Sequence, residues 1–218
     1  DEDRTAYGEV VLAAIGRVPN TDADWFRSSG LKLDERGYVT VDGYGRTNLD
    51  GVWALGDITP GHALAHRAFE QGITIAEKIA GADPKPVLDD TVPQVVFSFP
   101  EAASVGLTLD QAKAREDVVE PKETAYPMLS NARMLMSGEG GSMTVVSGAF
   151  ANNPDMQVVL GVHIVSPIAS DLIAEAEQLV GNRVPLADAA RLIHPHPTFS
   201  ETLGEALLKA DGRPLHTR

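Results

Sequence analysis

The chain has 218 residues, 43% of them hydrophobic and 22% charged, with a formal net charge of −13 and no cysteine. That size and balance predict a soluble protein of one large or two small domains, and the acidity argues against a nucleic-acid partner, whose phosphates it would repel. Without thiols there are no disulfides, thiolate nucleophiles or thiolate metal sites within these residues. No apolar run approaches the roughly 20 residues of a membrane span, and no basic start leads into a secretory apolar core, so the expected compartment is the cytoplasm and no membrane partner is expected.

In chain order, the apolar run Val10–Ile15, closed by Gly16 and Pro19, predicts a buried strand. With so few residues before it, such a strand has no earlier partner, which predicts that Asp1 lies inside a longer chain. A helical or irregular patch follows from Thr21 to Gly30. Tyr38–Asp42 alternates like a strand and Gly51–Leu55 reads as another, ended by Gly56-Asp57. After a loop with Pro60 and Gly61, the segment "ALAHRAFEQGITIAEKIAG" predicts a long helix, with Leu64, Ala68, Ile75 and Ile79 on one stripe and Gly81 as its stop. Pro84 and Pro86 mark a linker and a domain boundary near Leu88.

Beyond the boundary, "PQVVFSFP" and "AASVGLT" are strand-like, and "TLDQAKARE" predicts a helix capped by Thr108. "SMTVVSGAF" and "QVVLGVHIVS" predict two strands joined by the turn-rich "ANNPDM". "SDLIAEAEQLV" predicts a helix capped by Ser170 and ended by Gly181, "PLADAARLI" a shorter one, and Phe199–Ala210 the last. Strands followed by helices in this order predict an α+β domain around an antiparallel sheet.

Two stretches carry candidate chemistry. Asp57 sits where a strand gives way to a loop, and the loop enters a helix at Leu64-Ala65-His66, whose first backbone N–H groups have no intrahelical acceptor. A polar ligand can be held by both, although an aspartate in a turn is commonplace. His62 and His66, four apart, would share a helix face, but no third metal ligand accompanies them. The other stretch is "HPHPTFSE", His194 to Glu201. Each proline keeps the histidine before it extended, so the two rings form either a metal pair or a mount for one imidazole that trades protons near neutral pH. Glu201 fits two roles: it can orient a histidine, or it can close a capping box with Thr198. The residues alone leave both open. No G-x-S-x-G elbow, G-x-G-x-x-G loop or phosphate-binding loop is present.

Taken together and in order, "AAIGRVPNT", "GRTNLDGVWALGD", "LAHRAFEQG", "VPQVVFSFPEAASVGLT", "LGVHIVSPIASDLIAEA" and "HPHPTFSE" resemble the C-terminal half of the FAD-dependent pyridine nucleotide–disulfide oxidoreductases, most of all the dihydrolipoamide dehydrogenase branch. The resemblance covers nearly the whole chain. It implies the end of an NAD-binding domain over residues 1–20, the C-terminal segment of an FAD-binding domain over 21–88, and an α+β dimerisation domain over 89–218. It also implies FAD and NAD as cofactors. Asp57, with Gly56 before it, would bind the flavin's ribityl or phosphate region, and Ala65, with Leu64 and His66 beside it, would approach the flavin through backbone. Gly16 would lie near the nicotinamide nucleotide. His196 would be the catalytic base and Glu201 its orienting carboxylate, serving the other subunit of a homodimer. The substrate would be a small dithiol or a lipoyl-bearing protein, within a 2-oxo acid dehydrogenase complex. The His196–Pro197 and Val92–Pro93 bonds are expected to be cis. The redox cysteines and nucleotide loops of the family are absent from these residues, so the chain alone is expected to be inactive. A related flavoprotein reductase, such as one acting on mycothiol disulfide, and an inert dimerisation module are the alternatives.

Overall fold

Two Val-rich apolar runs, buried on both faces, organise the second half of the chain around one hairpin. The computed structural model describes residues 5–217. They fall into two compact units, one ending at Val87 and one beginning at Leu88.

The later unit is built on a five-stranded antiparallel sheet: β1 (Gln94–Val96), β2 (Glu101–Gly106), β3 (Val118–Pro127), β4 (Ser142–Phe150) and β5 (Asn153–Ser166). The spatial order is β1-β2-β5-β4-β3. The central β4–β5 hairpin pairs Met143 with Ile164 and Val145 with Val162. Successive side chains of a strand face opposite ways. Met143, Val145, Val162 and Ile164 join one core, and Val146, Val158 and Leu160 join another on the reverse face; a register shift at Val146/Ser147 switches the alternation of β5, so that Val159 rather than Val158 shares the first core. The hairpin turn is tighter than expected, because Phe150 already pairs with Asn153 and most of "ANNPDM" is strand.

The helices of the described residues are α1 (Asp24–Ser29), α2 (Ala65–Ile79), α3 (Leu109–Ala114), α4 (Ala132–Ser137), α5 (Ala169–Gly181), α6 (Leu186–Ala189) and α7 (Glu201–Ala210). The larger core takes Leu172, Ile173, Ala176 and Leu179 from α5 and Leu203, Ala206 and Leu207 from α7. On the reverse face Ala112 of α3 packs with Leu107 and Val118. Thr108 caps α3 in a full capping box with Gln111. Ser170 does not cap α5. It lies inside the helix, and its amide donates to Glu101 Oε2 at 2.8 Å, so a carboxylate from β2 satisfies the helix start from across the fold. Gly181 is likewise the helix's last residue rather than its stop. The His196–Pro197 bond is cis; Val92–Pro93 is trans, and the other cis bond of the described residues is Phe99–Pro100, in the β1–β2 turn.

The earlier unit has a small core of Phe26, Val39 and Ala54. The two strands expected there reduce to single bridges, Leu33 with Val39 and Arg46 with Trp53. The reason is local. Asp34 Oδ1 accepts the amides of Arg36 and Tyr38, and Asp42 Oδ1 accepts those of Tyr44 and Arg46. These aspartate turns take the N–H groups a ladder would use. The buried strand expected over Val10–Ile15 is not formed either: the run is irregular and exposed. A strand needs a neighbour for its backbone groups, and no described strand of this unit supplies one.

Candidate functional site

Helix α7 is fixed by burial of Leu203, Ala206 and Leu207, each almost fully excluded from solvent. That anchoring sets where its first residue, Glu201, points. Glu201 Oε1 lies 2.8 Å from Nδ1 of His196, and Oε2 accepts the amide N–H of Thr198 at 2.8 Å. The carboxylate thus does both things its position allows, orienting a ring and satisfying a backbone donor. The capping box is incomplete, however. The helix starts at Glu201 rather than Phe199, and Ser200 precedes it without a side-chain cap. The Thr198 hydroxyl turns away to donate to Pro195 O at 2.6 Å and meets the Ser200 hydroxyl at 2.9 Å. Asn131, which caps α4 through Oδ1, donates its Nδ2 to Thr198 O at 3.1 Å and ties the segment to the next element.

The electrostatics follow from these contacts. Burial pushes the Glu201 carboxyl up, but the Thr198 N–H and the His196 ring pull it down more strongly, so it lies below the ordinary glutamate value and stays ionised. An ionised carboxylate accepting from Nδ1–H selects the tautomer whose Nε2 carries a lone pair. The His196 side chain is 70% exposed, so that nitrogen is open to a partner.

His194 is different. Its side chain is 9% exposed and its Nε2 lies 2.8 Å from Oε1 of Glu175 on α5. Nδ1 sits over Gly204, where an added Cβ would lie 2.5 Å from it. The hydrogen bond to Glu175 raises the His194 pKa above the usual histidine value against the lowering effect of burial. Each ring of "HPHP" is committed to its own carboxylate. Among the described residues, no group of three or more His, Cys, Asp or Glu is arranged to hold a metal ion. His196 and Glu201 line a cavity of about 180 Å³ together with Asn131, Leu135, Glu205 and His216.

The other candidate residues lie in the earlier unit. Gly56 is buried with φ 71°, and a Cβ there would approach the Ala68 methyl at 3.3 Å. Its amide donates to Gln71 Oε1 of α2 at 2.9 Å, and its carbonyl accepts the Thr59 hydroxyl at 2.8 Å. Asp57 follows, exposed, in a single 3₁₀ turn, Gly56–Ile58. The buried Arg67 reaches back to Pro60 O at 2.6 Å. Gln71 and Arg67 thus pin the Asp57 loop to the start of α2. Leu64 precedes α2 with no side-chain cap, and Ala65 is its exposed first residue. Gly16 lies outside any element and exposed, with no atom near its missing Cβ. Sequence reasoning did not single out Arg67, Gln71, Glu175, Glu205 or His216. Only Gln71 carried a local signal, as a polar residue within the apolar stripe of its helix, three after Ala68 and four before Ile75.

Comparison with known proteins then fixes the lineage. Residues 92–207 match the family described as "Pyridine nucleotide-disulphide oxidoreductase, dimerisation domain", and residues 1–72 match "Pyridine nucleotide-disulphide oxidoreductase". The chain belongs to the pyridine nucleotide–disulfide oxidoreductases. Within this family it is 40% identical over 208 residues to a dihydrolipoyl dehydrogenase of Cupriavidus necator, covering 94% of this chain and 42% of that protein. It is 39% identical over 217 residues to a dihydrolipoyl dehydrogenase of Geobacillus stearothermophilus, covering 99% and 44%. Among solved structures, LpdA of Mycobacterium tuberculosis superposes with a TM-score of 0.80 at 31% identity over 90% of this chain and 42% of that one. The flavoprotein disulfide reductase RclA of Escherichia coli shares the fold, with a TM-score of 0.75 at 23% identity over 89% and 43%. The chain spans less than half the length of these relatives. Its antiparallel α+β unit is the family's dimerisation domain. No described helix is long and apolar enough to cross a membrane.

Proposed function

We propose that the full-length protein carrying this chain is a flavoenzyme of the dihydrolipoyl dehydrogenase type, a cytoplasmic homodimer that oxidises a dihydrolipoyl dithiol, free or on a lipoyl-bearing protein, with NAD as acceptor. The observation that carries this reading is the His196–Glu201 hydrogen bond of 2.8 Å, in a chain about 40% identical to named dihydrolipoyl dehydrogenases. Exposed Phe97, Phe99 and Ile193 on the dimerisation domain favour a two-fold partner; likeness to dihydrolipoyl dehydrogenases supports a 2-oxo acid dehydrogenase complex as the proposed setting.

A dithiol reacts as its thiolate, and a free thiol at neutral pH is mostly protonated. His196 takes the thiol proton at Nε2 and later returns one. Glu201 holds the ring's orientation and tautomer and stabilises the imidazolium; this is general acid–base catalysis supplied wholly by this chain. The cysteines that exchange with the substrate are not among these 218 residues. FAD fits the earlier unit: the exposed Asp57 carboxylate opens a pinned loop, and α2, which begins at Ala65 between Leu64 and His66, starts without a side-chain cap from Leu64. Gly56 admits the close turn, and Gly16 would lie toward NAD. Bound FAD supplies the two-electron relay from dithiol to nicotinamide nucleotide.

The purified full-length protein is expected to show a bound-flavin absorption spectrum and NAD-dependent oxidation of dihydrolipoamide. A flavin spectrum with no dithiol oxidation, but NADPH-dependent reduction of mycothiol or glutathione disulfide, would replace this reading with a related reductase. A colourless protein would remove it.

A further inference from the structure

Helix α7 carries a second carboxylate one turn after Glu201. Glu205 is 8% exposed, and its Oε1 lies 2.7 Å from Nδ1 of His216 while its Oε2 accepts the His216 amide N–H at 3.3 Å. The C-terminal segment therefore folds back and closes a ring and a backbone donor onto Glu205. Both imidazole–carboxylate pairs line the same cavity. Residues four apart on a helix have their Cβ atoms about 6 Å apart, so the two carboxylates are electrostatic neighbours. The other groups facing this end are few. Tyr126 of β3 is fully buried, its hydroxyl has no hydrogen-bond partner among the described residues, and burial followed by the charges of Glu205 and Glu201 pushes its pKa up to about 12, so it stays a neutral phenol. Arg133 of α4 lies over the Phe199 ring at 5.4 Å. His194, on the same segment as His196, is held by Glu175 of α5.

An unneutralised Glu205 beside the pair would favour every proton bound there. We propose that His216, acting through Glu205, is a positioning residue of the active site: it binds and offsets the second carboxylate, so that the C-terminal segment sets how readily His196 accepts a proton. This rests on the reading of His196 as the catalytic base.

The test uses the full-length protein and two readouts. Deuterium exchange at imidazole C2–H, followed by mass spectrometry against pH, gives the titration midpoint of His196 whether or not the protein is active. The pH profile of dihydrolipoamide oxidation gives the same quantity through function. The proposal expects opposite signs. His216→Gln exposes the Glu205 charge and moves the His196 midpoint up, and Glu205→Gln removes the charge and moves it down. Each shift is roughly 0.3–1 pH unit, small because solvent reaches both rings. His216→Lys restores a cation and returns the midpoint toward wild type, which a purely structural role for the ring would not do. Shifts of the same sign in His216→Gln and Glu205→Gln, or none in either, overturn the proposal. His196 midpoints that move as expected, in a protein that oxidises no dithiol, leave the coupling standing and remove the catalytic reading instead.

Discussion

The inner and outer ends of the 194–201 segment hold the same kind of pair in opposite surroundings. At the inner end, His194 is packed against Gly204 of α7 and bound to Glu175 of α5, so its pair serves the fold. At the outer end, His196 stands 70% exposed over a cavity with Glu201 behind it, so its pair is free to serve a reaction. An imidazole–carboxylate hydrogen bond is therefore not evidence of catalysis. What distinguishes the two is which nitrogen remains accessible once the carboxylate has taken the other.

Substitutions at the two ends should separate these roles. The largest effect is expected at the outer end: in the full-length protein, His196→Gln lowers dithiol turnover by about 10²–10⁴-fold while leaving stability within about 0.5 kcal/mol, read from steady-state kinetics beside urea unfolding. A matching loss of stability would mean that His196 is structural after all. At the inner end, Gly204→Ala drives a methyl into His194 and should cost about 1–3 kcal/mol in the same unfolding assay. Glu175→Gln should cost about 1–2 kcal/mol, with a definite pH dependence. The fold raises the His194 pKa, so the pair's stabilisation is fully present below the unfolded-state value of about 6.5 and is lost as pH rises through the higher folded value. The gap between wild type and Glu175→Gln is thus widest in mild acid and narrows above neutrality. Glu201→Gln should show the smallest stability change, about 1 kcal/mol or less, and the reverse trend. The Glu201 pKa is depressed, so its contribution is present above the unfolded carboxylate value and vanishes as pH falls through the folded one. Unfolding midpoints measured from about pH 2.5 to about pH 8 check both slopes, the Glu201 slope at the acid end and the His194 slope around and above neutrality.

The contrast between the two ends also marks what the sequence can disclose. Helix α2 follows from an apolar period near 3.6, and the β4–β5 hairpin from two Val-rich apolar runs flanking a turn, buried on both faces. Strand β3 does not: Pro121, a φ of 50° at Glu120 and a register shift between Val119 and Lys122 break its alternation, which an edge strand tolerates. The short α4 lacks the length for a period to show, and its cap, Asn131, is its main signal. In the earlier unit, apolar residues at Val10–Ile15 had the composition of a strand but no partner strand among the described residues of that unit. The site divides in the same way. His196 and Glu201 are five residues apart, so local spacing brings them together. His194 and Glu175 are 19 apart and His216 and Glu205 are 11 apart, joined only through packing of α5, α7 and the chain's end, which no local pattern encodes.

The central claim is that His196 moves the substrate's thiol proton. Rapid-mixing of the full-length protein under anaerobic conditions tests it by separating two half-reactions, flavin reduction by dihydrolipoamide and flavin reduction by NADH. His196→Gln is expected to slow the first by at least about 10²-fold and leave the second unchanged. Equal slowing of both, or of neither, would contradict the account.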